Sequence, residues 1–299
     1  MQNLRGILYV VLAMLIFTIE DGFNKALSET LPAGQIVLLL GIGGTLIFLV
    51  ASLVGRQPFR RAEVLHPVTL VRSASEGVAT MAFVVSLALV PISTVASVFQ
   101  AAPLAITLGA ALFLGEKVGW RRWTAVLVGF AGVLVIIRPG MAGFQPQALV
   151  VLLAVTGIAV RDLCSRRLPA GLPSTVASAL GFSALIPAAL GLTLVTGTGF
   201  VAMGGREWLY MLAAIVTFAV AYYFLVSATR LGDASALTPF RYTRLIFTLI
   251  LGAAVFGERP DLPTYIGATL IIGSGLYTYL RERRLARSTL KRKPTDGIV

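Results

Sequence analysis

The chain has few of the residues that build metal centres, disulfides and soluble surfaces. Among 299 residues it has one cysteine, Cys164, and one histidine, His66. A lone cysteine forms no disulfide within its own chain, and this pair cannot supply the usual ligand set of a zinc site. Charged residues make up only 13% of the chain, whereas soluble domains average about 25%. We therefore expect no catalytic residue, no metal site and no cofactor.

Apolar residues dominate the remainder of the sequence. They make up 57% of the chain, and the mean hydropathy is +0.87. Apolar runs of roughly 20 residues recur along the whole length, each long enough to cross about 30 Å of hydrocarbon. The runs are continuous, whereas the strands of a membrane barrel alternate in polarity. The sequence predicts an all-α polytopic membrane protein.

Loop signals and charges divide the chain into ten predicted membrane spans. They lie near residues 4–26, 32–55, 67–90, 92–115, 118–138, 145–168, 172–197, 206–231, 234–257 and 262–280. The connections are short, so we expect no extramembrane domain. We predict that the first span is permanent, because acidic residues lie near its end and no small-residue cleavage site follows it.

The two halves of the sequence resemble each other. At an offset of 142 residues Gly115-Glu116 falls on Gly257-Glu258, and at an offset of 141 residues Asp21 falls on Asp162. Two halves of five spans each must have opposite orientations, because five is an odd number. This predicts two inverted five-helix repeats around a central cavity. Such repeats are typical of secondary transporters, which bind substrate near the membrane midplane at the repeat interface.

Positive charge predicts the orientation of these repeats. If the amino terminus is cytoplasmic, most loop arginines and lysines fall on the inner side. We therefore predict a multi-pass protein of a bacterial-type inner membrane with both termini in the cytoplasm. The repeats cover residues 1–140 and 141–284, and a basic cytoplasmic tail covers 285–299. The net charge of +12 is interpreted as an orientation signal that also attracts membrane lipid, with no nucleic acid as partner.

Each half ends its fourth span with Gly-Glu and has a fifth span spotted with glycine, "GFAGVLV" and "IIGSGLY". This doubled set resembles the drug/metabolite transporter (DMT) superfamily and, within it, the EamA-type exporters. The resemblance covers essentially the whole chain. It implies a ten-helix structure with a central cavity and the export of small metabolites. The YddG-like amino-acid exporters belong to this group.

Eight charged residues lie away from the predicted loops. They are Arg72, Arg161, Arg241, Arg244, Glu20, Asp21, Glu76 and Asp162. A charge at the bilayer centre costs about 2.5–3.5 kcal/mol on insertion scales, so such residues pair with each other or face a wet cavity. The four acids are also the candidate proton carriers, and both proton coupling and facilitated diffusion stay open.

Sequence spacing suggests several partners for these charges. Arg72 and Glu76 share a helix face, as do Asp21 and Lys25, because each couple is four residues apart. Glu20 and Arg161 occupy equivalent positions in the two repeats and could meet near the pseudo-two-fold axis.

Arg241 and Arg244 lie one helical turn apart in the ninth predicted span, and they admit two roles. One is structural pairing with Glu76 or Asp162, which would lock helices together. The other is to face the cavity and hold an anionic group such as the carboxylate of an amino acid, which a guanidinium matches bidentately.

Further candidates complete the predicted site. The substrate-binding candidates are Arg244, Arg241, Glu76, Gln100, Glu20, Asp21, Thr80 and Tyr223. Structural pairing or capping is predicted for Arg72, Arg161, Asp162, Glu116 and Glu258. Pro103 and Pro239, each in the fourth span of its repeat, predict hinges or cavity-lining kinks.

The sequence favours a transporter that exports small polar metabolites, most of all amino acids, by alternating access. The alternative cargo is a drug or another metabolite. A membrane-embedded lipid-modifying enzyme is a distant alternative, because the sequence has no paired histidines or aspartate cluster that would supply a base or a metal. A scaffold or sensor would need a soluble domain or an extended loop. The sequence favours a monomer without determining the oligomeric state.

Overall fold

The computed structural model describes residues 2–113, 115, 119–139, 145–231 and 238–292. Every regular element in these residues is a helix. The helices are α1 Gln2–Leu27, α2 Ala33–Val54, α3 Arg61–Val64, α4 Pro67–Leu89, α5 Ile92–Phe99, α6 Ala102–Phe113, α7 Trp120–Ile137, α8 Leu149–Ser165, α9 Ser174–Ser183, α10 Leu185–Thr196, α11 Gly205–Leu231, α12 Thr243–Val255 and α13 Leu262–Arg292. Two 3-10 turns, Pro146–Ala148 and Thr238–Tyr242, precede α8 and α12.

Seven helical segments in the described residues are long and apolar enough to cross a membrane. They are Leu4–Leu27, Ala33–Val54, Pro67–Leu89, Ile92–Phe113, Pro146–Ser165, Ser174–Thr196 and Gly205–Leu225. Large aliphatic side chains remain exposed on these helices, among them Val54 at 80% and Leu194 at 82%. Exposed apolar surface of this extent is stable against lipid tails, so the chain is a multi-pass helical membrane protein. The count of ten spans stays a prediction, with α7, α12 and α13 at the remaining three positions.

Two of the predicted spans are interrupted. α5 ends at Phe99, and α6 begins at Ala102. Pro103 has no N–H to donate to the carbonyl of Phe99 four residues earlier, which explains the break. Pro187 interrupts the seventh span between α9 and α10 in the same way. The break before Pro103 lies where a kink was predicted, whereas the break before Pro187 was not predicted; each segment still has the length of one span.

Pro239 lies in the 3-10 turn Thr238–Tyr242, and α12 begins only at Thr243. The prediction that this proline sits inside a continuous helix is therefore wrong. A proline fits the start of a helix because its fixed φ suits the first turn, where a missing N–H costs little. Its role as a hinge stays a prediction.

The last helix is longer than predicted. α13 continues to Arg292, so the first part of the predicted basic tail is helical. The segment "RERRLARSTLKR" consists mostly of good helix formers and has no glycine or proline, which explains the extension. Residues 293–299 lie outside the described part of the chain.

The main packed helix pairs have equivalent pairs, which are found by replacing every helix with its counterpart in the other half of the chain. α1 packs along α11, and the equivalent pair is α8 along α4. α7 packs on α13, and α2 packs on α9 and α10, so these two interfaces join a span to its own counterpart. At the α7–α13 crossing, a Cβ added at Gly132 would lie 2.7 Å from the carbonyl oxygen of Gly267. The crossing therefore depends on glycine.

The turn after the fourth span is the same in both halves. Gly115 has a φ of +67° and Gly257 a φ of +63°. This left-handed conformation strains residues that carry a Cβ, so glycine is the residue suited to end these helices. Glu116, which follows the first of these glycines, lies outside the described residues.

Candidate functional site

A cavity of about 450 Å³ lies among helices from both halves of the chain. Ser165, the last residue of α8, lines it at one end. Beyond the other end, where α4 ends, a fully buried apolar cluster that includes Leu87, Ile92 and Ile136 fills the space. The cavity therefore reaches the end of the molecule where α8 ends, and packed side chains close it at the opposite end.

Eleven residues singled out from the sequence line this cavity. They are Glu20, Asp21, Arg72, Glu76, Thr80, Gln100, Pro103, Arg161, Asp162, Arg241 and Arg244. Gln100 also donates a hydrogen bond from Nε2 to the backbone oxygen of Tyr242, at 3.4 Å. The fold thus gathers side chains from α1, α4, α6, α8, the start of α12 and the segments just before α6 and α12 around one space.

Arg244 is held by Asp21. Its Nη2 lies 2.7 and 2.8 Å from the two carboxylate oxygens of Asp21, and its Nε lies 3.1 Å from Oδ2. The guanidinium also stacks near three rings, at 5.3 Å from Phe17 and 5.7 Å from both Phe83 and Phe99. The expected partners Glu76 and Asp162 are therefore wrong for Arg244. The guanidinium of Arg244 is already bound by a carboxylate and lies near three phenylalanine rings.

Asp21 does not pair with Lys25, although the two are four residues apart. The Nζ of Lys25 donates instead to the carbonyl oxygens of Leu87 and Val90, at 2.6 and 3.1 Å. These carbonyls lie at the carboxyl end of α4, where the helix dipole favours a cation. Lys25 therefore caps α4 at the closed end of the cavity.

A second cluster of charges is centred on Glu76. Arg72 lies 3.4 Å from its carboxylate, as the four-residue spacing suggests, and Arg161 lies 3.1 Å from it. Arg161 also contacts Asp162 at 2.6 Å. Two arginines and two acids thus neutralise each other. The suggested contact between Glu20 and Arg161 is absent, because Arg161 is engaged in this cluster.

Two cavity charges have no ion partner in the described chain. Glu20 accepts one hydrogen bond, from Nδ2 of Asn24 at 2.5 Å, and is only 7% exposed. Arg241, in the 3-10 turn before α12, has neither a hydrogen bond nor an ion pair with any described residue. Its side chain is exposed and lines the cavity. The site therefore offers one acid and one cation that form no ion pair with a described residue.

Tyr223 does not line the cavity. Its side chain is 66% exposed, on the outer surface of α11. The preceding residue, Tyr222, lines the cavity, and its hydroxyl lies 2.6 Å from Oγ of Ser178. The choice of Tyr223 is therefore wrong, because successive residues on a helix point about 100° apart.

Sequence reasoning missed Asn24 and most of the aromatic wall. The wall consists of Phe17, Phe83, Phe99, Phe182, Phe218 and Tyr222. Asn24 and Phe17 were detectable from the sequence, because Phe17, Glu20 and Asn24 recur at intervals of three and four residues and so share one face of α1.

Glu258 lies away from the main cavity, at the closed end. Its carboxylate accepts hydrogen bonds from the backbone N–H groups of Ile92 and Ser93, at 2.7 and 3.0 Å. It thereby caps the amino end of α5, in the other half of the chain. A smaller cavity of about 240 Å³ lies beside it, lined in part by Thr94. Glu116 and the side chain of Pro239 lie outside the described residues.

The arrangement suits the binding of a charged small molecule against aromatic rings. Among the residues that the structure describes, no group of three or more His, Cys, Asp or Glu side chains is placed to hold a metal ion. The chemistry available in the cavity is ion pairing, hydrogen bonding and stacking.

Comparison with known proteins gives two matches to one family model. The EamA-like transporter family matches residues 4–138 and again 145–280. A solved crystal structure of a protein 24% identical superposes with a TM-score of 0.61, covering 94% of this chain and 98% of the other. That likeness supports the helical fold.

Three curated relatives are similar to this chain and differ in what their names say they carry. The S-adenosylmethionine uptake transporter of Rickettsia prowazekii is 25% identical over 94% of each chain. The pseudopaline exporter CntI of Pseudomonas aeruginosa is 28% identical over 89% of this chain and 93% of its own. The riboflavin transporter of Rhizobium johnstonii is 35% identical over 69% of this chain and 68% of its own.

Proposed function

Because this chain belongs to the EamA-like transporter family, we propose that it is a secondary transporter that carries a small polar metabolite, an amino acid or an amino-acid derivative, through its central cavity. By their names the relatives carry different substrates, and one is an uptake transporter whereas another is an exporter. Family membership alone therefore determines neither the substrate nor the direction of transport. The choice of cargo rests on the cavity.

Arg241 carries the proposal for the substrate class. Its side chain faces the cavity without a hydrogen bond or ion pair to any described residue, so its donors are available to a ligand. A carboxylate can accept two of them at once, and hydrogen bonds to charged groups contribute about 1.5–3 kcal/mol. Arg244, the other candidate, is satisfied by Asp21 and so serves to shape the cavity.

A second candidate cargo is a larger metabolite or drug with a flat ring. The aromatic wall favours it, because five phenylalanines and one tyrosine line the cavity. The volume of about 450 Å³ also falls within the roughly 300–1,000 Å³ of pockets for drug-sized ligands. S-adenosylmethionine, named for one relative, is an amino-acid derivative, whereas riboflavin, named for another, represents the flat-ring class.

We propose export across the bacterial inner membrane, with both termini in the cytoplasm. The cavity reaches the end of α8, and Arg166 and Arg167 follow directly. By the positive-inside rule these arginines mark the cytoplasmic side. With this orientation the cavity opens to the cytoplasm, the side on which an exported substrate would bind.

We also propose that residues 1–140 and 141–284 form inverted repeats, followed by a basic cytoplasmic tail at 285–299. The two matches of the family model support this, as do the exchangeable helix pairs and the shared turn at Gly115 and Gly257. Rocking of one half against the other gives alternating access in such folds. A monomer would be sufficient for this motion.

Proton coupling is proposed to depend on the buried acids Glu20, Asp21, Glu76 and Asp162. If protons drive transport, an imposed pH gradient accelerates flux, and the acid that carries the proton can be found by acid-to-amide replacement. Flux that does not respond to the gradient assigns the protein to facilitated diffusion.

Uptake by proteoliposomes tests the proposed function. Labelled amino acids, S-adenosylmethionine and riboflavin are compared with protein-free liposomes. We expect saturable uptake of at least one amino acid or amino-acid derivative, and an apparent affinity about 10- to 100-fold weaker in Arg241→Gln.

Arg60→Gln is the matched control, because Arg60 is a largely exposed loop arginine. It should leave uptake unchanged. Absence of uptake for every carboxylate-bearing compound would overturn the proposal, and uptake of riboflavin alone would favour the flat-ring class. A lipid-modifying enzyme is the least favoured reading, since the curated relatives are named transporters.

A further inference from the structure

The cavity holds an acid, Glu20, that forms no ion pair with a described residue. Of its four acids, Asp21 is paired with Arg244, and Glu76 and Asp162 are paired with Arg161. Glu20 is left with a single hydrogen bond, from the amide of Asn24. All three N–H···O contacts from the nearby Arg244 go to Asp21.

Asn24 supplies a second unused acceptor beside Glu20. Its Nδ2 donates to the carboxylate of Glu20, and its Oδ1 is buried without any hydrogen-bond partner. The residue is only 1% exposed and lines the same cavity. A buried acceptor left unpaired costs about 1–3 kcal/mol, so this oxygen lacks a donor that a ligand would bring.

The two acceptors lie one helical turn apart on α1. Residues four apart on a helix are neighbours on one face, so a single small group can reach both. A primary ammonium fits, because it carries one positive charge and three N–H donors. Lys25 cannot serve as an internal substitute, since its Nζ is bound to the carbonyls at the end of α4.

We propose that Glu20 and Asn24 form a subsite for the ammonium group of the substrate, so that the cavity selects zwitterions. The inference rests on the proposed function, in which Arg241 holds the carboxylate. A zwitterion supplies a counter-charge to both Glu20 and Arg241. A simple anion or a simple cation leaves one of the two uncompensated.

Three compounds of matched shape separate the two subsites. L-Leucine carries both charges, 4-methylpentanoate carries only the carboxylate, and 3-methylbutylamine carries only the ammonium. Melting curves of the purified protein in detergent, titrated with each compound at constant ionic strength, report binding without requiring transport. Sodium and potassium chloride are titrated in parallel, because an inorganic cation could also occupy acceptors of this kind.

We expect leucine to stabilise the wild type most strongly, and 3-methylbutylamine and 4-methylpentanoate each to stabilise it saturably but more weakly. In Glu20→Gln and Asn24→Ala the apparent affinity for 3-methylbutylamine should fall about 10- to 100-fold, whereas that for 4-methylpentanoate should not. In Arg241→Gln the apparent affinity for 4-methylpentanoate should fall, whereas that for 3-methylbutylamine should not. Glu29→Gln is the matched control, because Glu29 is exposed in the connection after α1.

The subsite would be overturned if 3-methylbutylamine stabilised wild type and Glu20→Gln equally. It would also be overturned if 4-methylpentanoate bound the wild type as well as leucine does, because binding would then require only the carboxylate. Stabilisation by sodium alone would replace it with a cation site. If the variants fail to fold, the three compounds compared on wild type still decide the matter. Leucine uptake with no discrimination against 4-methylpentanoate would overturn the ammonium subsite but support the proposed transport function. Ammonium binding at Glu20 without uptake of any compound would support the subsite and overturn the transport function.

Discussion

At the scale of single residues, the pair of Asp21 and Arg244 lends itself to a stability test. Asp21 is 2% exposed, so Asp21→Ala leaves the partly buried guanidinium of Arg244 among phenylalanine rings without its ion-pair partner. Removing one partner of a buried pair costs about 3–5 kcal/mol. We expect a loss of that size in the free energy of unfolding, measured by denaturant titration in detergent.

The double variant Asp21→Leu with Arg244→Leu is the informative companion. It removes both charges and should recover much of the loss, because apolar replacement of a buried pair is often close to neutral. If the losses of the two single variants simply add in the double variant, the pair is not coupled. Glu29→Ala, at an exposed acid, should change stability by no more than about 0.5 kcal/mol.

The sequence indicated which charged residues would share the cavity better than it indicated their partners. A charge in an apolar span must find a partner or water, and that requirement is readable without coordinates. Arg72 and Glu76 pair as their spacing suggests, because the contact is local to one helix. Asp21 and Arg244 are 223 positions apart, so their pairing depends on how α1 crosses α12.

At the scale of helices, the α7–α13 crossing predicts opposite results for two glycines on one helix. A Cβ at Gly267 would lie 2.5 Å from the carbonyl oxygen of Gly132, and backbone cannot yield as a flexible side chain can. Gly267→Ala should therefore cost about 1–3 kcal/mol. A Cβ at Gly273 meets nothing within 4 Å, so Gly273→Ala should be neutral or stabilise by up to about 1 kcal/mol.

Melting curves of the two variants against the wild type check this contrast. Because both changes add one methyl group to α13, a difference between them reports the crossing and not helix propensity. Equal melting temperatures would show that α7 and α13 can separate without cost, contrary to the close packing of membrane helices at small residues.

The limits of the predicted helices show what hydropathy cannot detect. A window of apolar residues finds a span, but it does not respond to one missing N–H. The kink at Pro103 was predicted from the proline itself, whereas the break before Pro187 was not predicted. The extension of α13 to Arg292 has the opposite origin, since a charged segment beyond the membrane can remain helical through propensity alone.

At the scale of the whole molecule, the proposed inverted repeat would relate the described conformation to a second one. Gly115 and Gly257 adopt the same left-handed conformation at the ends of the two fourth spans, and Glu258 caps α5 in the other half of the chain. In an inverted repeat, the outward-facing state follows when each half adopts the arrangement of the other. If the two halves are inverted repeats, as proposed above, we expect that opening the closed end releases Glu258 from Ile92 and Ser93.

Glu258→Ala should accordingly favour the outward-facing state. An N-terminal cap contributes about 0.5–2 kcal/mol, which corresponds to a shift in the conformational equilibrium of about 2- to 30-fold. The readout is the rate at which a membrane-impermeant maleimide, added from the periplasmic side, labels Thr94→Cys beside Glu258. Cys164→Ser removes the native thiol in all variants. Glu258→Gln should lie between wild type and Glu258→Ala, because it keeps one acceptor oxygen for the end of α5.

Two comparisons make this result interpretable. Thr198→Cys lies in the exposed connection between α10 and α11, so its labelling rate should not depend on Glu258. Glu116→Ala, at the equivalent position of the first half, should slow the labelling of Thr94→Cys or leave it unchanged. An unchanged rate for Thr94→Cys in Glu258→Ala would show that the cap does not hold the closed end. Labelling of Thr198→Cys only in inverted vesicles would reverse the orientation proposed here and, with it, the direction in which the cavity opens.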